Sequence, residues 1–355
     1  MSKLKIAIVG VGSISNSHIH GYLLNPDVEL YAFCDINPVQ LEKMGKKYGV
    51  ERLYTDEKEM LEALPEIDAV SICTWNSQHA PCTIMALNAG KHVLCEKPMA
   101  TCAADAIKMK EAAEKNGKLL MVGFVRRYGN DAKILKDYID NGYFGDIYYG
   151  KATYLRRNGA PGGWFGDKSR SGGGPLIDLG VHVIDLTRYL MGNPKPVSVY
   201  GATFHKLGDR PDVKGGKRGY AATTAQAAVF DVEDLATAMI RYDNGAVVSI
   251  EAAFSLNIKE DEGKIQLYGT KAGAKLDPEL EMYTELNGYM SNVQLDTPTA
   301  LDFDGLFEGE IDHYVDCILG RADKCISPAE DGITLMKILD GIYESAATGH
   351  EVVLG

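Results

Sequence analysis

The chain has 355 residues, a net charge of −12, and 45% hydrophobic and 24% charged residues. This length exceeds one small hydrophobic core and predicts two domains, while the composition is that of a globular protein. The acidic balance argues against nucleic acid, which requires a basic surface. No apolar run approaches the roughly 20 residues of a membrane span, so we expect no membrane partner either.

The seven cysteines show no C-x-x-C spacing, which favours reduced thiols over a zinc site. The N-terminal residues MSKLKIAIVG run directly into a strand-like segment and leave no room for a signal peptide. We therefore expect a cytoplasmic protein without a metal site.

The first motif is a glycine turn. The apolar run Lys5 to Val9 is followed at once by GVGSIS at 10–15 and by a helical pattern that ends near Leu24. This is a G-x-G-x-x-S version of the dinucleotide-binding motif in its strand–turn–helix context, with Ser15 in place of the third glycine. The residues predicted to line the cofactor here are Gly10, Gly12, Ser13 and Ile14.

A second strand, Val28 to Cys34, ends in Asp35. An acid at this position accepts hydrogen bonds from the adenosine ribose and repels a 2′-phosphate, and Ile36 offers no positive charge to hold one. The sequence therefore predicts NAD rather than NADP. In the alternative reading, Asp35 only caps the helix that starts near Pro38.

Strands and helices then alternate. Helices are predicted at 38–48, 56–64, 79–89 and 101–116, and strands at 52–54, 68–73, 92–95 and 119–124. Such alternation predicts a parallel, doubly wound sheet with right-handed crossovers.

Two strands of this sheet end in polar residues at the edge where ligands bind in such folds. One is followed by TWNSQH at 74–79, and the strand at 92–95 is followed by Glu96, Lys97 and Pro98. Pro98 restricts the backbone of Lys97, so the ammonium is delivered to the ligand crevice. The alternatives are a surface lysine and, for His79, a purely structural histidine. The further predicted cofactor residues are Thr74, Asn76, His79, Glu96, Lys97 and Arg126.

After Arg127 the pattern becomes mostly β. A helix is predicted at 130–141, and strands at Ile147–Leu155, Val197–Phe204, Ala225–Phe230, Leu235–Tyr242, 246–254 and in a pair within 263–276. Asp243-Asn244-Gly245 is a strong hairpin signal. We expect an α+β domain with a large antiparallel sheet, and domain limits of 1–124 and 125–355.

Asp178 and His182 are four residues apart, so on a helix they share one face. The carboxylate can orient the imidazole toward a substrate hydroxyl, and a histidine suits general base catalysis. Asp185 either joins this network or is solvated. The alternative for His182 is a satisfied core histidine on an apolar helix.

The segment 159–174 holds seven glycines and contains Trp164, a flat wall for a sugar ring or nicotinamide. An ordinary mobile surface loop is the alternative. The predicted substrate-binding residues are Lys97, Arg126, Tyr154, Arg156, Trp164, Asp178, His182 and His313, with Arg157 as a further candidate.

Taken together, the order GVGSIS, Asp35, TWNSQH and GKHVLCEKP resembles the Gfo/Idh/MocA family of oxidoreductases. GFVRRY at 123–128, GPLIDLGVHVID at 174–185 and the tail from Ala329 extend the resemblance over nearly the whole chain. The resemblance implies an open sheet whose exposed face meets a partner subunit. We therefore expect a homo-oligomer, a dimer or a tetramer.

The expected function is NAD-dependent oxidation of a secondary ring hydroxyl of a sugar, glycoside or cyclic polyol such as inositol. Lys97, Asp178 and His182 are the predicted catalytic residues, with His182 as the base. Two alternatives are retained: an enzyme that keeps NAD bound and uses it transiently or shuttles hydride between sugars, and a non-catalytic NAD-binding sensor.

Overall fold

The computed structural model describes residues 3–210, 212–214, 229–299 and 302–355. The chain forms two compact units. The first contains the residues up to Val125 and the segment Asp304–Ile333, and the second contains the described residues from Arg126 to Phe303 and Thr334–Gly355. Residues 304–333 thus count with the first unit, although the sequence-based limits placed them in the second domain.

The first unit is built on a six-stranded sheet in the order β3-β2-β1-β4-β5-β6, with every neighbouring pair parallel. Its strands are β1 Leu4–Val9, β2 Val28–Cys34, β3 Leu53–Tyr54, β4 Ala69–Ile72, β5 His92–Glu96 and β6 Leu120–Gly123. Its helices are α1 Ser15–Leu24, α2 Pro38–Tyr48, α3 Glu57–Ala63, α4 Asn76–Asn88, α5 Ala103–Asn116 and α9 Phe303–Ile318, whose first residue belongs to the second unit. The predicted doubly wound sheet is confirmed.

Local sequence explains the ends of these elements. The Asn37 side chain accepts from the backbone N–H groups of Val39 and Gln40 and so starts α2, which ends at the left-handed Gly49. Every residue of β4 is buried, as expected for a strand inside a parallel sheet. Helix α9 lies so close to α1 that a Cβ on Gly21 would be 2.8 Å from Ile311.

The second unit contains a nine-stranded sheet in the order β14-β13-β12-β11-β7-β10-β9-β8-β15. Its strands are β7 Ile147–Leu155, β8 Pro196–Phe204, β9 Leu235–Tyr242, β10 Val247–Ala253, β11 Glu262–Gly269, β12 Ala272–Leu276, β13 Glu281–Leu286, β14 Tyr289–Val293 and β15 Val352–Val353. Its helices are α6 Asn130–Asp140, α7 Lys168–Ser171, α8 Val181–Leu190 and α10 Ala329–Thr348, whose first turn counts with the first unit. The sheet is antiparallel except between β7 and β10.

The predicted hairpin at 243–245 joins β9 to β10, and Gly245 takes the positive φ of 85° that the turn requires. The predicted strand Ala225–Phe230 lies mostly outside the described residues, and Val229 and Phe230 have no regular structure. Helix α10 packs closely on β8, since a Cβ on Gly201 would be 2.8 Å from Ile342. Over the described residues, no helix combines the length and apolarity that crossing a bilayer requires.

Candidate active site

The glycine turn after β1 is shaped by close packing on one side and open space on the other. Gly10 has a φ of +87°, and a Cβ there would lie 2.7 Å from the backbone carbonyl of Cys73. A Cβ on Gly12 would meet nothing within 4 Å. The buried Ser15 donates from Oγ to the Gly12 carbonyl at 2.8 Å. Its hydroxyl therefore stabilises the turn at the position where the motif usually has its third glycine.

Asp35 holds the same turn from the end of β2. Its Oδ2 accepts from the backbone N–H of Val11 at 2.8 Å, and its Oδ1 accepts from that of Asn37 at 2.8 Å. Because Asn37 caps α2, the reading of Asp35 as the helix cap is wrong. A carboxylate has about four acceptor positions, so two bonds leave capacity for ribose hydroxyls.

Two exposed apolar side chains follow Asp35 in the chain, and the sequence did not single them out as candidate cofactor contacts. Ile36 is 73% exposed and Val39 is 76% exposed. Large apolar side chains at this exposure are informative when they sit beside a predicted ligand position, because a flat apolar group such as adenine can cover them.

These features fit a dinucleotide. The space above Gly12 admits a pyrophosphate next to the N-terminal end of α1, and Asp35 offers acceptors at the ribose position. Ser13 and Ile14 complete the turn and are exposed and half-buried, respectively. The residues of the first unit are thus those that would hold NAD.

The loop after β4 and the loop after β5 are tied together by His79. Its Nδ1 lies 2.7 Å from the Pro98 carbonyl and its Nε2 lies 3.1 Å from the Thr74 carbonyl. Burial lowers the pKa of the imidazole, and these two carbonyls oppose the effect. Both ring nitrogens therefore face main-chain carbonyls, and a neutral imidazole donates to only one of the two. Helix α4 starts at the buried Asn76, three residues earlier than predicted.

Glu96 and Lys97 stand at the end of β5. The backbone N–H of Lys97 donates to the Oε2 of Glu96 at 3.1 Å, and the peptide bond from Lys97 to Pro98 is cis. Glu96 is buried and Lys97 is half-buried. The Glu96 carboxylate thus holds the backbone N–H of Lys97.

In the second unit, Asp178 does not lie on a regular α-helix. Leu176–Gly180 form one turn of π-helix, and α8 begins directly afterwards at Val181. Since π-helical bonds run from i to i+5, a spacing of four residues still keeps Asp178 and His182 near one face. Asp178 is buried and His182 is half-buried.

Glu233 anchors the start of this π turn and was not recognised from the sequence. It accepts from the backbone N–H groups of Gly174 at 2.9 Å and Leu176 at 3.2 Å, and from the Tyr343 hydroxyl at 2.9 Å. Burial raises the pKa of Glu233, while the same hydrogen bonds oppose the rise. Gly174 leaves no room for a side chain, because a Cβ would be 2.1 Å from the Glu233 carbonyl oxygen.

Asp185 is buried rather than solvated, and it forms an ion pair with Arg127. Its two oxygens accept from the Nε of Arg127 at 3.0 Å and the Nη2 of Arg127 at 2.6 Å, and both residues are buried. This bidentate pair links α8 to the segment before α6. The pair gives Asp185 a structural contact within the second unit.

Arg126 is bound to acids of its own unit. Its Nη2 lies 3.1 Å from both carboxylate oxygens of Asp277 and 3.5 Å from Asp131. Burial raises the pKa of Asp131, and the Arg126 charge opposes the rise. Two carboxylates thus orient the guanidinium of Arg126. Its role toward cofactor or substrate remains a prediction.

The glycine-rich segment is more ordered than a simple loop. Gly163–Gly166 form a 3₁₀ turn in which Trp164 stacks on Phe165 with ring centroids 4.0 Å apart, and α7 follows. The guanidinium of Arg156 lies 5.3 Å from the Tyr154 ring centroid and donates to the Gly159 carbonyl at 2.9 Å. Arg157 donates to the Lys259 carbonyl at 2.9 Å. Arg156 thus contacts Tyr154 and the start of the glycine-rich segment, while Trp164 packs on its neighbour Phe165.

His313 lies on α9, in the first unit. Its Nε2 accepts from the backbone N–H of Ile326 at 3.0 Å and is 3.5 Å from the Cys317 sulfur. One ring nitrogen is therefore used within the unit, while the predicted substrate role of His313 remains a prediction.

A doubly wound parallel sheet with a glycine turn, an acid after β2 and a lysine after β5 defines an NAD-dependent oxidoreductase. Comparison with known families agrees: residues 4–124 match the oxidoreductase family with an NAD-binding Rossmann fold, and residues 133–275 match the GFO/IDH/MocA C-terminal domain. The chain belongs to the Gfo/Idh/MocA family.

Curated relatives match over long stretches. The D-glucoside 3-dehydrogenase of Escherichia coli is 35% identical over 99% of this chain and 98% of its own length. The myo-inositol 2-dehydrogenase of Thermotoga maritima is 31% identical over 76% of this chain and 73% of its own length. This chain is thus similar to dehydrogenases along most of their length.

Solved structures agree with the fold. An aldose-aldose oxidoreductase from Caulobacter crescentus superposes with a TM-score of 0.81 and 27% identity, covering 99% of this chain and 100% of that chain. A levoglucosan dehydrogenase in complex with NADH superposes with a TM-score of 0.85 and 25% identity over the whole of both chains.

Proposed function

We propose that this enzyme oxidises a secondary ring hydroxyl of a sugar, glycoside or cyclic polyol to a ketone, with NAD as the hydride acceptor. The observation that carries the proposal is Lys97, which lies at the end of β5 on the sheet edge where such folds bind ligands. The same chain holds Asp178 on the π turn and His182 on α8. The similarity to a D-glucoside 3-dehydrogenase along nearly the full length supports the substrate class.

His182 is proposed as the general base that takes the proton of the substrate hydroxyl. Asp178 is proposed to orient the imidazole, since both residues lie near one face of the π turn and α8. When bound, NAD supplies the acceptor for the hydride that leaves the carbon.

Lys97 is proposed to hydrogen-bond the same substrate oxygen and to stabilise the negative charge that develops on it. The proposal requires Lys97 of the first unit and His182 of the second to reach one oxygen. Tyr154, Arg156, Trp164 and Arg126 are the proposed hydrogen-bonding and packing groups for the ring, and a donor such as Arg156 suits a hydroxyl-rich ligand.

The deciding experiment incubates the purified protein with NAD and a panel of inositols, sugars and glucosides. Absorbance at 340 nm reports NADH, and mass spectrometry reports loss of two hydrogens from the substrate. The proposal expects both signals with at least one ring polyol. NAD binding without turnover of any of these substrates would favour the sensor instead.

A second candidate is an enzyme that returns the hydride within the same active site. The structural likeness to an aldose-aldose oxidoreductase supports it. It predicts a modified sugar without accumulation of NADH, so the absorbance at 340 nm separates it from the leading proposal.

We also propose that the protein is a cytoplasmic homo-oligomer. None of its seven cysteines, all of which lie among the described residues, forms a disulfide, which suits a reducing compartment. Tyr200 and Met239, which pair across β8 and β9, are 54% and 52% exposed. Exposed apolar pairs on a sheet support a contact between subunits there.

A further inference from the structure

Three buried ionisable side chains lie directly behind Lys97, and the proposed reaction uses none of them as acid or base. They are His18 on α1, Glu96 at the end of β5 and Glu310 on α9. One polar atom from each lies within 4.8 Å of the others. Ionisable groups in such numbers are costly to bury unless they are paired.

The two carboxylate oxygens of Glu96 have separate partners. Oε1 accepts from the Nε2 of His18 at 2.8 Å, while Oε2 accepts from the backbone N–H of Lys97 at 3.1 Å. Nε2 must be the donor, because an ionised carboxylate only accepts. On the neighbouring strand, a Cβ on Gly123 would approach the Glu96 carboxyl carbon to 3.4 Å, so the side chain is confined from that direction too.

His18 also has contacts on the side of its ring that faces away from Glu96. Its Nδ1 lies 3.4 Å from the Ser71 hydroxyl, and that hydroxyl is 2.7 Å from the hydroxyl of Tyr22. The ring of Phe307 lies 5.8 Å away, centroid to centroid. A hydrogen-bonded chain thus runs from Tyr22 through Ser71 and His18 to Glu96 and ends on the Lys97 peptide.

The two carboxyl groups of this cluster differ in the direction in which their pKa values are shifted. Burial acts to raise the pKa of Glu96, but the hydrogen bond from His18 and the nearby positive charges hold it below its ordinary value. Burial and the charge of Glu96 raise the pKa of Glu310 well above its ordinary value. Among the described residues, neither carboxyl oxygen of Glu310 has a hydrogen-bond partner. Glu96 is therefore the ionised acid and Glu310 the neutral one.

We propose that His18 is a positioning residue for Lys97: it holds the ionised carboxylate of Glu96 against the Lys97 peptide, while Glu310 stays neutral. A fixed negative charge beside Lys97 favours the charged ammonium. It thereby opposes a cationic nicotinamide, whose positive charge would lower the pKa of the lysine. This inference rests on the proposed function only for the statement that Lys97 acts on a substrate. The other titratable groups that interact with Glu96 include His79 from α4, Cys73 after β4 and Cys95 of β5.

The test follows the Lys97 ammonium by ¹³C reductive methylation and NMR in the full-length protein, with Lys97→Arg to assign its signal. Glu96→Gln removes the charge and should lower the titration midpoint of Lys97. His18→Leu should lower it in the same direction by about half a pH unit or more. His18→Gln, whose amide still donates, should restore the midpoint and guard against a folding defect.

A matched control lies on the same two helices. His20 on α1 faces Glu308 on α9 at 3.4 Å, and the two side chains are 50% and 42% exposed. His20→Gln should leave the midpoint unchanged, and so should Glu310→Gln because an amide replaces a neutral acid. An unchanged midpoint in His18→Leu, or a shift in Glu310→Gln as large as that in Glu96→Gln, overturns the inference.

Kinetics supply the second readout. With a substrate found by the screen above, His18→Leu should lower kcat about tenfold with KM for NAD within about twofold. Loss of NAD affinity instead of kcat would overturn the positioning role. If the wild-type protein oxidises none of the polyols, the proposed function fails, while the substrate-free titration still decides the role of His18.

Discussion

Asp35 and Val11 are joined by a hydrogen bond of 2.8 Å, from the backbone N–H between the two glycines to the carboxylate at the end of β2. The residue proposed to bind the adenosine ribose therefore also holds the shape of the glycine turn. A charge-changing substitution at Asp35 acts on both, and experiments on cofactor choice have to separate the two effects.

The first prediction concerns NAD and NADP. Asp35→Ser with Ile36→Arg removes a negative charge and supplies a guanidinium for a 2′-phosphate, so the preference should move toward NADP by about tenfold or more. Dissociation constants for both dinucleotides, measured by calorimetry, check it. Ile36→Arg alone is the control that keeps the bond to Val11. Tighter binding of NADP than of NAD by the wild-type protein would show that Asp35 has another role.

The second prediction concerns catalysis. Lys97→Ala and His182→Ala should each reduce turnover by about 10²–10⁴-fold, since each removes a group that acts on the reacting oxygen. Because both act on one oxygen, the double variant should be hardly slower than the slower single variant. Asp178→Asn should fall between wild type and His182→Ala, through a misoriented imidazole.

The control for these variants is NAD affinity, which should persist because neither side chain forms the glycine turn. Initial rates and calorimetric titration with NAD give the two quantities. Near-normal turnover in His182→Ala would contradict the proposed base.

The third prediction concerns the buried pair Arg127–Asp185. Asp185→Asn leaves a buried guanidinium without its charge partner and should lower the free energy of unfolding by about 3–5 kcal/mol. Urea denaturation measures it. The pair Arg170–Asp167 at 3.3 Å, which is partly exposed, is the comparison; Asp167→Asn changes its charge and should cost about 1 kcal/mol or less. Equal losses in the two variants would refute the distinction.

The fourth prediction is a dependence of stability on pH. Burial raises the pKa of Glu57 at the start of α3 to about 7, with the Cys82 thiol opposing. Because the folded protein holds the proton more tightly than the unfolded chain, the contribution of this group is present below the unfolded pKa of about 4.3 and is lost as pH rises through 7.

Glu57→Gln should therefore increase the free energy of unfolding by about 1–3 kcal/mol at pH 8 relative to wild type, and by little at pH 5. Urea midpoints at both pH values check this. Glu59→Gln changes an exposed acid in the same helical turn and is the control. A gain for Glu57→Gln that is the same at pH 5 and pH 8 would speak against titration of this carboxyl.

The fifth prediction concerns assembly. Met239→Glu places a charge on the exposed pair that Met239 forms with Tyr200. In the proposed contact between subunits this charge would be buried without a partner, which is costly, so the protein should shift toward monomers. Sedimentation velocity at micromolar concentration measures the species. Asn244→Glu, in the exposed β9–β10 turn, is the control. A monomeric wild-type protein would contradict the oligomer outright.

Much of the first unit follows from its sequence, because local signals decide it. Strands β1 and β2 are short apolar runs punctuated by a glycine turn and an acid, and β2 matches its predicted bounds of Val28–Cys34. Strand β9 and its hairpin followed from period-two alternation and an Asn-Gly turn.

Other features depend on residues far apart in the chain. Arg127 and Asp185 pair across 58 positions, and Glu233 reaches Gly174 across 59, so neither partner is legible from local spacing. A π turn replaces the predicted helix around Asp178, and periodicity does not distinguish the two over five residues. The hairpin of β13 and β14, with Asn287 and Gly288 at positive φ, carried an Asn-Gly signal that we overlooked.

The hydrogen bonds from Gly174 and Leu176 to Glu233 can form only late in the synthesis of the polypeptide. During synthesis, the segment with Asp178 and His182 leaves the ribosome well before Glu233, and Tyr343 follows later still. The backbone N–H groups at the start of the π turn therefore lack their acceptor, the Glu233 carboxylate, until about sixty more residues have been synthesised. Chains truncated before Glu233 should therefore contain Asp178 and His182 but lack the hydrogen bonds that hold the start of the π turn.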